Sequence, residues 1–178
     1  MKKKFINLFV ICFFMVVLIT AIIFGTREEI LPIGAKLTEI KYIWLGDTLS
    51  IKVDAKPIMI MYFSPDCSHC EYDLMEINKR VNELKNVDVY LLTTDNKFVN
   101  KKLYEKYNNI MKMSNIKFGI VNKEEYKAKF GITVTPVFYF FNIHGKLVDK
   151  LIGEIKFSRL LESIWKSDDA QRQISGSN

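Results

Sequence analysis

Apolar and polar positions change their period repeatedly along the chain, and each change marks an element. Residues 5–24 carry no charge and are almost wholly apolar, about the ~20 residues a helix needs to cross a hydrocarbon core. Residues 27–37 then read as a linker, with Pro32 and Gly34 as breakers. Residues 39–45 and 48–53 alternate around Gly46-Asp47 and predict a hairpin. Residues 57–63 form a dense apolar run short enough for a buried strand. Beyond it Cys70, Leu74, Ile77, Val81 and Leu84 recur at helical spacing, which predicts a helix to about Lys85. A strand over 87–93 follows, so strand, helix and strand imply a parallel pair with a right-handed crossover.

The second half continues the alternation. Residues 97–113, with Phe98, Leu103, Tyr104, Tyr107, Ile110 and Met111, are helix-like and aromatic for packing. Residues 116–121 read as a strand and 123–130 as a short helix ended by Gly131. Residues 137–142 are β-prone; a turn at His144-Gly145 leads to a strand over 146–152. In the last helix Phe157, Leu160, Leu161, Ile164 and Trp165 share one face. Residues 168–178 have no apolar period and are expected to be a disordered tail. The chain therefore divides into 1–26, a cytoplasmic start and transmembrane anchor; 27–37, a linker; 38–167, one α/β domain; and 168–178, the tail.

Charge places the domain. Lys2, Lys3 and Lys4 precede the apolar run and Arg27, Glu28 and Glu29 follow it, which by the positive-inside rule leaves the N-terminus in the cytoplasm and the rest outside. The run is longer than a signal-peptide core, and Ile22-Ile23-Phe24 put bulky side chains where a cleavage site needs small ones. An uncleaved anchor is expected, with Cys12 a small apolar residue within it. Removing the three lysine charges from the net +6 leaves +3, dispersed. That excludes a nucleic-acid footprint.

Cys67-Ser68-His69-Cys70 stands where the apolar strand ends and the helical pattern begins. At a helix N-terminus the free N–H groups and the dipole favour thiolate, the form that attacks disulfides. A zinc site is poorly supplied, because the other cysteine is Cys12 and the other histidine His144. Cu(I) binding by Cys67 and Cys70, with or without His144, is the alternative from another class, a copper chaperone. A structural disulfide is a third reading, though so short a loop gains little from closure. A peroxiredoxin-type Pro-x-x-x-Thr-x-x-Cys is absent before Cys67. Pro65 and Asp66 are expected to shape the helix start, and His144 to sit in a hairpin turn.

From residue 57 to about 166 the order of elements, with Cys-x-x-Cys, Thr133-Val134-Thr135-Pro136, a hairpin, Gly153 and a terminal helix, resembles the thioredoxin superfamily. The anchor, the extra N-terminal hairpin and the segment 95–116 make it similar to the TlpA/ResA-like branch of membrane-tethered thiol-disulfide oxidoreductases. The resemblance implies a central mixed β-sheet flanked by helices. It also implies a cis peptide before Pro136 that faces the dithiol, and backbone groups of Thr135 that receive a substrate chain. Cys67 would attack and Cys70 resolve, exchanging disulfides with substrate proteins and with a thiol electron partner, a membrane protein among the candidates. No metal or organic cofactor is implied.

Two departures qualify the resemblance. Thioredoxins carry a buried acid six residues before the first cysteine, where this chain has Met61; and their Gly-Pro is here Ser68-His69. Histidine before the second cysteine is similar to DsbA-type oxidases, where it favours the first thiolate, so His69 joins the candidate catalytic residues. Family likeness favours the reducing direction, and His69 leaves the oxidising one open.

Overall fold

The computed structural model describes residues 12–20, 31–96, 101–131 and 134–175. Residues 12–20 are a helix, α1, within the apolar run. Among the described residues no helix is long and apolar enough to cross a membrane; the remainder of the expected 5–24 span lies outside them. Residues 31 onward form a separate compact unit.

That unit is built on strands β1 (Lys41–Trp44), β2 (Asp47–Ser50), β3 (Ile58–Tyr62), β4 (Asp88–Thr93), β5 (Ile116–Ile120), β6 (Val137–Phe141) and β7 (Leu147–Ile152). They make one mixed sheet in the order β2-β1-β5-β4-β3-β6-β7. β3 lies parallel to β4 and antiparallel to β6, and β4 is parallel to β5. The central strands β3 and β6 are apolar and buried throughout because both faces are covered. Met59, Met61 and Phe63 pack on one side with Leu74, Ile77, Ile110, Phe157 and Leu160, while Ile58, Ile60 and Tyr62 pack on the other with Tyr126 and Phe130. Helices α2 (Ser68–Lys79), α3 (Lys101–Lys106), α4 (Asn108–Met111) and α6 (Phe157–Ser175) thus cover the first face, and α5 (Lys123–Phe130) the second. The expected α/β sheet with flanking helices is what folds.

The N-terminal hairpin is present, with its turn one residue earlier than expected. Trp44 pairs with Asp47, and Leu45 and Gly46 both take positive φ (52° and 92°). A two-residue primed turn requires that at both positions. The hairpin joins the sheet by the Ile43–Ile120 bridge, where the Tyr42 ring lies over Gly119.

Four further expectations are corrected. The helix after the dithiol stops at Lys79, not Lys85: Arg80 leaves helical angles and Val81–Leu84 form a 3₁₀ turn. There a period of three turns both Val81 and Leu84 to the core. Residues 31–37, read as linker, are tied to the turn before β7 and to its first residue by the backbone bonds Gly34 N–H to Leu147 O, Leu37 N–H to Gly145 O and Leu147 N–H to Ala35 O. Trp165 is exposed although Leu160 and Ile164 are buried, because the next residue on a helix turns ~100° away. The last helix runs on to Ser175, into the stretch expected to be disordered. Ala170, Gln171, Arg172 and Gln173 are favourable helix formers, and no breaker intervenes before Gly176.

Candidate active site

The β3 strand ends at Tyr62, and Phe63 still bonds to Leu92 across the sheet before the chain turns through Ser64, Pro65 and Asp66. Cys67 then caps α2. Its backbone is extended (φ −98°, ψ 115°) and its sulfur accepts the Cys70 N–H at 3.4 Å. The cap residue is therefore the thiol itself, where Asp66 was expected to help shape the start. Asn, Asp, Ser and Thr normally fill that position because a side-chain acceptor meets an N–H that lacks a helical partner. A thiolate meets it with a full charge.

The two sulfurs differ in exposure. Cys67 is half-buried, whereas Cys70 is 0% exposed within the core against Met61, Leu74 and Phe63. Burial alone would push the Cys67 thiol up; hydrogen bonds with Cys70 and Thr135 and from the Cys70 and His69 N–H groups outweigh it, and the net displacement is downward. For Cys70 burial prevails, with its donation to Cys67 adding to it, and the thiol is pushed up to about 12.

Thr135 and Pro136 complete the site. The peptide between them is cis, and the Cys67 thiol donates to the Thr135 carbonyl oxygen at 3.8 Å. A polar cleft of about 300 Å³ opens beside them, lined among others by Ser64, Pro65, Thr94, Asp95 and Lys123. The dithiol, Thr135 and Pro136, chosen from sequence positions far apart, are thus brought together.

His69 lies at the same helix start, but its side chain is turned to Glu154, Nδ1 to Oε2 at 2.6 Å. That bond raises the imidazole pKa, with Cys67 and Asp73 adding to the effect. Glu154 was missed by sequence reasoning; 85 residues separate it from His69, and only the neighbouring Gly153 had drawn notice. Asp73 was missed as well. It is 3% exposed on α2, its Oδ1 accepts the Ile155 N–H at 3.4 Å, and burial lifts its carboxyl to about 7. The signal was available: a carboxylate adjoins Leu74 in the buried stripe that begins at Cys70. Met61 is buried between Leu91 and Phe138 in the sheet, so no acid occupies that position.

His144 is removed from the site by topology. β6 runs antiparallel to β3, with Val137 beside Tyr62 and Phe141 beside Ile58. The turn after Phe141, where His144 sits, therefore lies at the opposite end of the sheet from Cys67. Among the described residues no three His, Cys, Asp or Glu side chains gather as a metal-ligand set, and His144 is too far away to join Cys67 and Cys70 in a copper site.

A family model described as a thioredoxin-like domain matches residues 47–166. The chain belongs to the thioredoxin-like family. Comparison with curated protein sequences gives no match. Among solved structures, this thioredoxin-like chain is similar to a peroxiredoxin-like protein from Aquifex aeolicus, with TM-score 0.65 and 14% identity over 78% of this chain and 89% of that one. It is similar to StoA of Bacillus subtilis, at TM-score 0.53 and 17% identity over 73% and 98% of the two chains. A thiol:disulfide interchange protein from Bacteroides gives TM-score 0.55 and 23% identity over 67% and 81%. At these identities the likeness is one of fold.

Proposed function

We propose that this protein is a membrane-tethered thiol-disulfide oxidoreductase that works outside the cytoplasm on substrate proteins, in the reducing direction. The observation that carries the exchange chemistry is the asymmetry of the pair: an accessible thiol with lowered pKa at a helix cap, followed by a buried one held protonated. The Cys67 thiolate attacks one sulfur of a substrate disulfide. That S–S bond breaks, its electron pair leaves with the other substrate sulfur, which takes a proton from solvent, and a mixed disulfide forms. Cys70 then loses its proton to solvent and attacks the Cys67 sulfur; the bond from Cys67 to the substrate breaks, and the departing substrate sulfur takes the electron pair and a proton. The substrate leaves as a dithiol and the enzyme pair is oxidised by two electrons. A partner thiol protein reverses these steps to restore the dithiol. The Thr135 backbone and the adjoining cleft are where an extended substrate chain lies against Cys67.

The tethering rests on the uncharged run 5–24 behind Lys2, Lys3 and Lys4. The hairpin β1–β2 and the helices α3 and α4 between β4 and β5 support placement in the TlpA/ResA-like branch. Fractionation of cells with N-terminal sequencing of the mature protein tests the anchor. A membrane-bound species retaining the lysines is expected, and a soluble species beginning near Thr26 would overturn it.

Direction is tested by equilibrating the protein with glutathione buffers. A potential nearer the roughly −270 mV of thioredoxin than the roughly −120 mV of DsbA supports reduction; the reverse assigns oxidation. A pair that never equilibrates refutes exchange altogether.

A further inference from the structure

Two side chains one helical turn apart on α2 reach the same short loop. His69 bonds Glu154 Oε2 through Nδ1 at 2.6 Å, and Asp73 accepts the Ile155 N–H at 3.4 Å. Residues four apart share a helix face, so both contacts come from one side. The residue just before them, Gly153, has φ 84° and donates its N–H to the Pro136 carbonyl at 2.8 Å. Three successive loop residues thus touch the proline segment, the residue between the cysteines, and the helix one turn below. Asp73 is the uncommon member. It is buried, its Oδ2 has no hydrogen-bond partner, and an apolar residue would fill the position without the desolvation penalty.

We propose that Glu154 and Asp73 are positioning residues for thiol exchange, which clasp the loop 153–155 to α2 so that the His69 imidazole is held at the helix start that carries Cys67 and the Thr135–Pro136 segment is held in place beside it. The proposal rests on the exchange chemistry proposed above. The charges that face His69 are Glu154 from the loop and Cys67 and Asp73 from its own helix, and each favours the imidazolium. Those that face Asp73 are Glu154 and His69, opposite in sign. Glu154 therefore acts on the thiol through His69, which stands two residues from Cys67 on the same helix start.

The test is the pH profile of Cys67 alkylation in the reduced full-length protein. Glu154→Gln keeps the shape of an exposed side chain and removes its charge. It is expected to raise the Cys67 pKa and slow alkylation near pH 7 several-fold. His69→Gln should do the same, and the double variant no more than either. Asp73→Asn retains an acceptor for Ile155 and should erase an inflection near pH 7. Wild-type profiles from both Glu154→Gln and Asp73→Asn would overturn the proposal, as would an undiminished Glu154→Gln effect in the His69→Gln background. Alkylation reads the thiolate alone. A shifted profile in a protein that exchanges no disulfide would thus keep the clasp and refute the function.

Discussion

The sulfur of Cys67 accepts the backbone N–H of Cys70, so the first cysteine caps the helix that buries the second. One contact does two things. It ends the strand-to-helix turn with a satisfied N–H, and it favours the charged form of the more accessible of the two sulfurs.

The first prediction concerns that charge. An acid whose pKa is lowered loses its proton earlier as pH rises. Cys67 should therefore react with an alkylating agent below the free-thiol value of about 8.5 and fall silent only at more acid pH. Each unit of lowering makes the thiolate about tenfold more abundant on the acid side. Cys70 should remain unreactive in the fold until about 12. Rates measured against pH on the reduced wild-type protein, with the alkylated cysteine identified by peptide mapping, check both; an apparent Cys67 value at or above the free thiol contradicts the assignment.

Asp73 gives the fold its own pH dependence. Its carboxyl holds a proton up to about 7, against about 3.9 in an unfolded chain. Between those values the folded state binds more protons than the unfolded one, so this group's contribution to stability falls as pH rises through that window. Asp73→Asn should remove the fall and leave the variant more stable than wild type at pH 8, by about 1 kcal/mol or more, with little gain at pH 4. Denaturant melts at the two pH values decide it. An equal effect at both would mean that Asp73 does not titrate as described.

Gly119 is the place where the N-terminal hairpin meets the sheet. A Cβ there would lie 2.6 Å from Tyr42 Cδ2 and 2.9 Å from its Cβ and Cγ, too close for any side chain without moving the buried ring. Gly119→Ala should destabilise the domain by about 1–3 kcal/mol, as overpacking does. A melt unchanged from wild type would show that β1 yields freely.

Much of this was legible beforehand, because the signals were local. The period-two runs, the stripe Cys70, Leu74 and Ile77, and the glycine after Phe130 each depend on residues close in sequence, and each element formed. What failed depended on distance. No spacing rule joins His69 to Glu154 or Asp73 to Ile155, since the register of β7 and the path of its loop must first be set. The same holds for His144, which sequence could pair with the cysteines only while the direction of β6 against β3 was unknown. The helix end at Lys79 escaped because Val81 and Leu84 satisfy a period of three as well as one of 3.6.

The central claim is that Cys67 attacks and Cys70 resolves. With Cys70→Ala the mixed disulfide has no adjacent thiol to release it, so discrete substrate adducts should accumulate and vanish on reduction. With Cys67→Ala the remaining thiol is buried and protonated, and few adducts should form. Non-reducing gels of both full-length variants, expressed in cells with residues 1–26 retained, make the comparison. The account predicts adducts in the first and nearly none in the second; an absence of reducible adducts from both, with stability lowered alike, would mark the pair as a structural disulfide and contradict it.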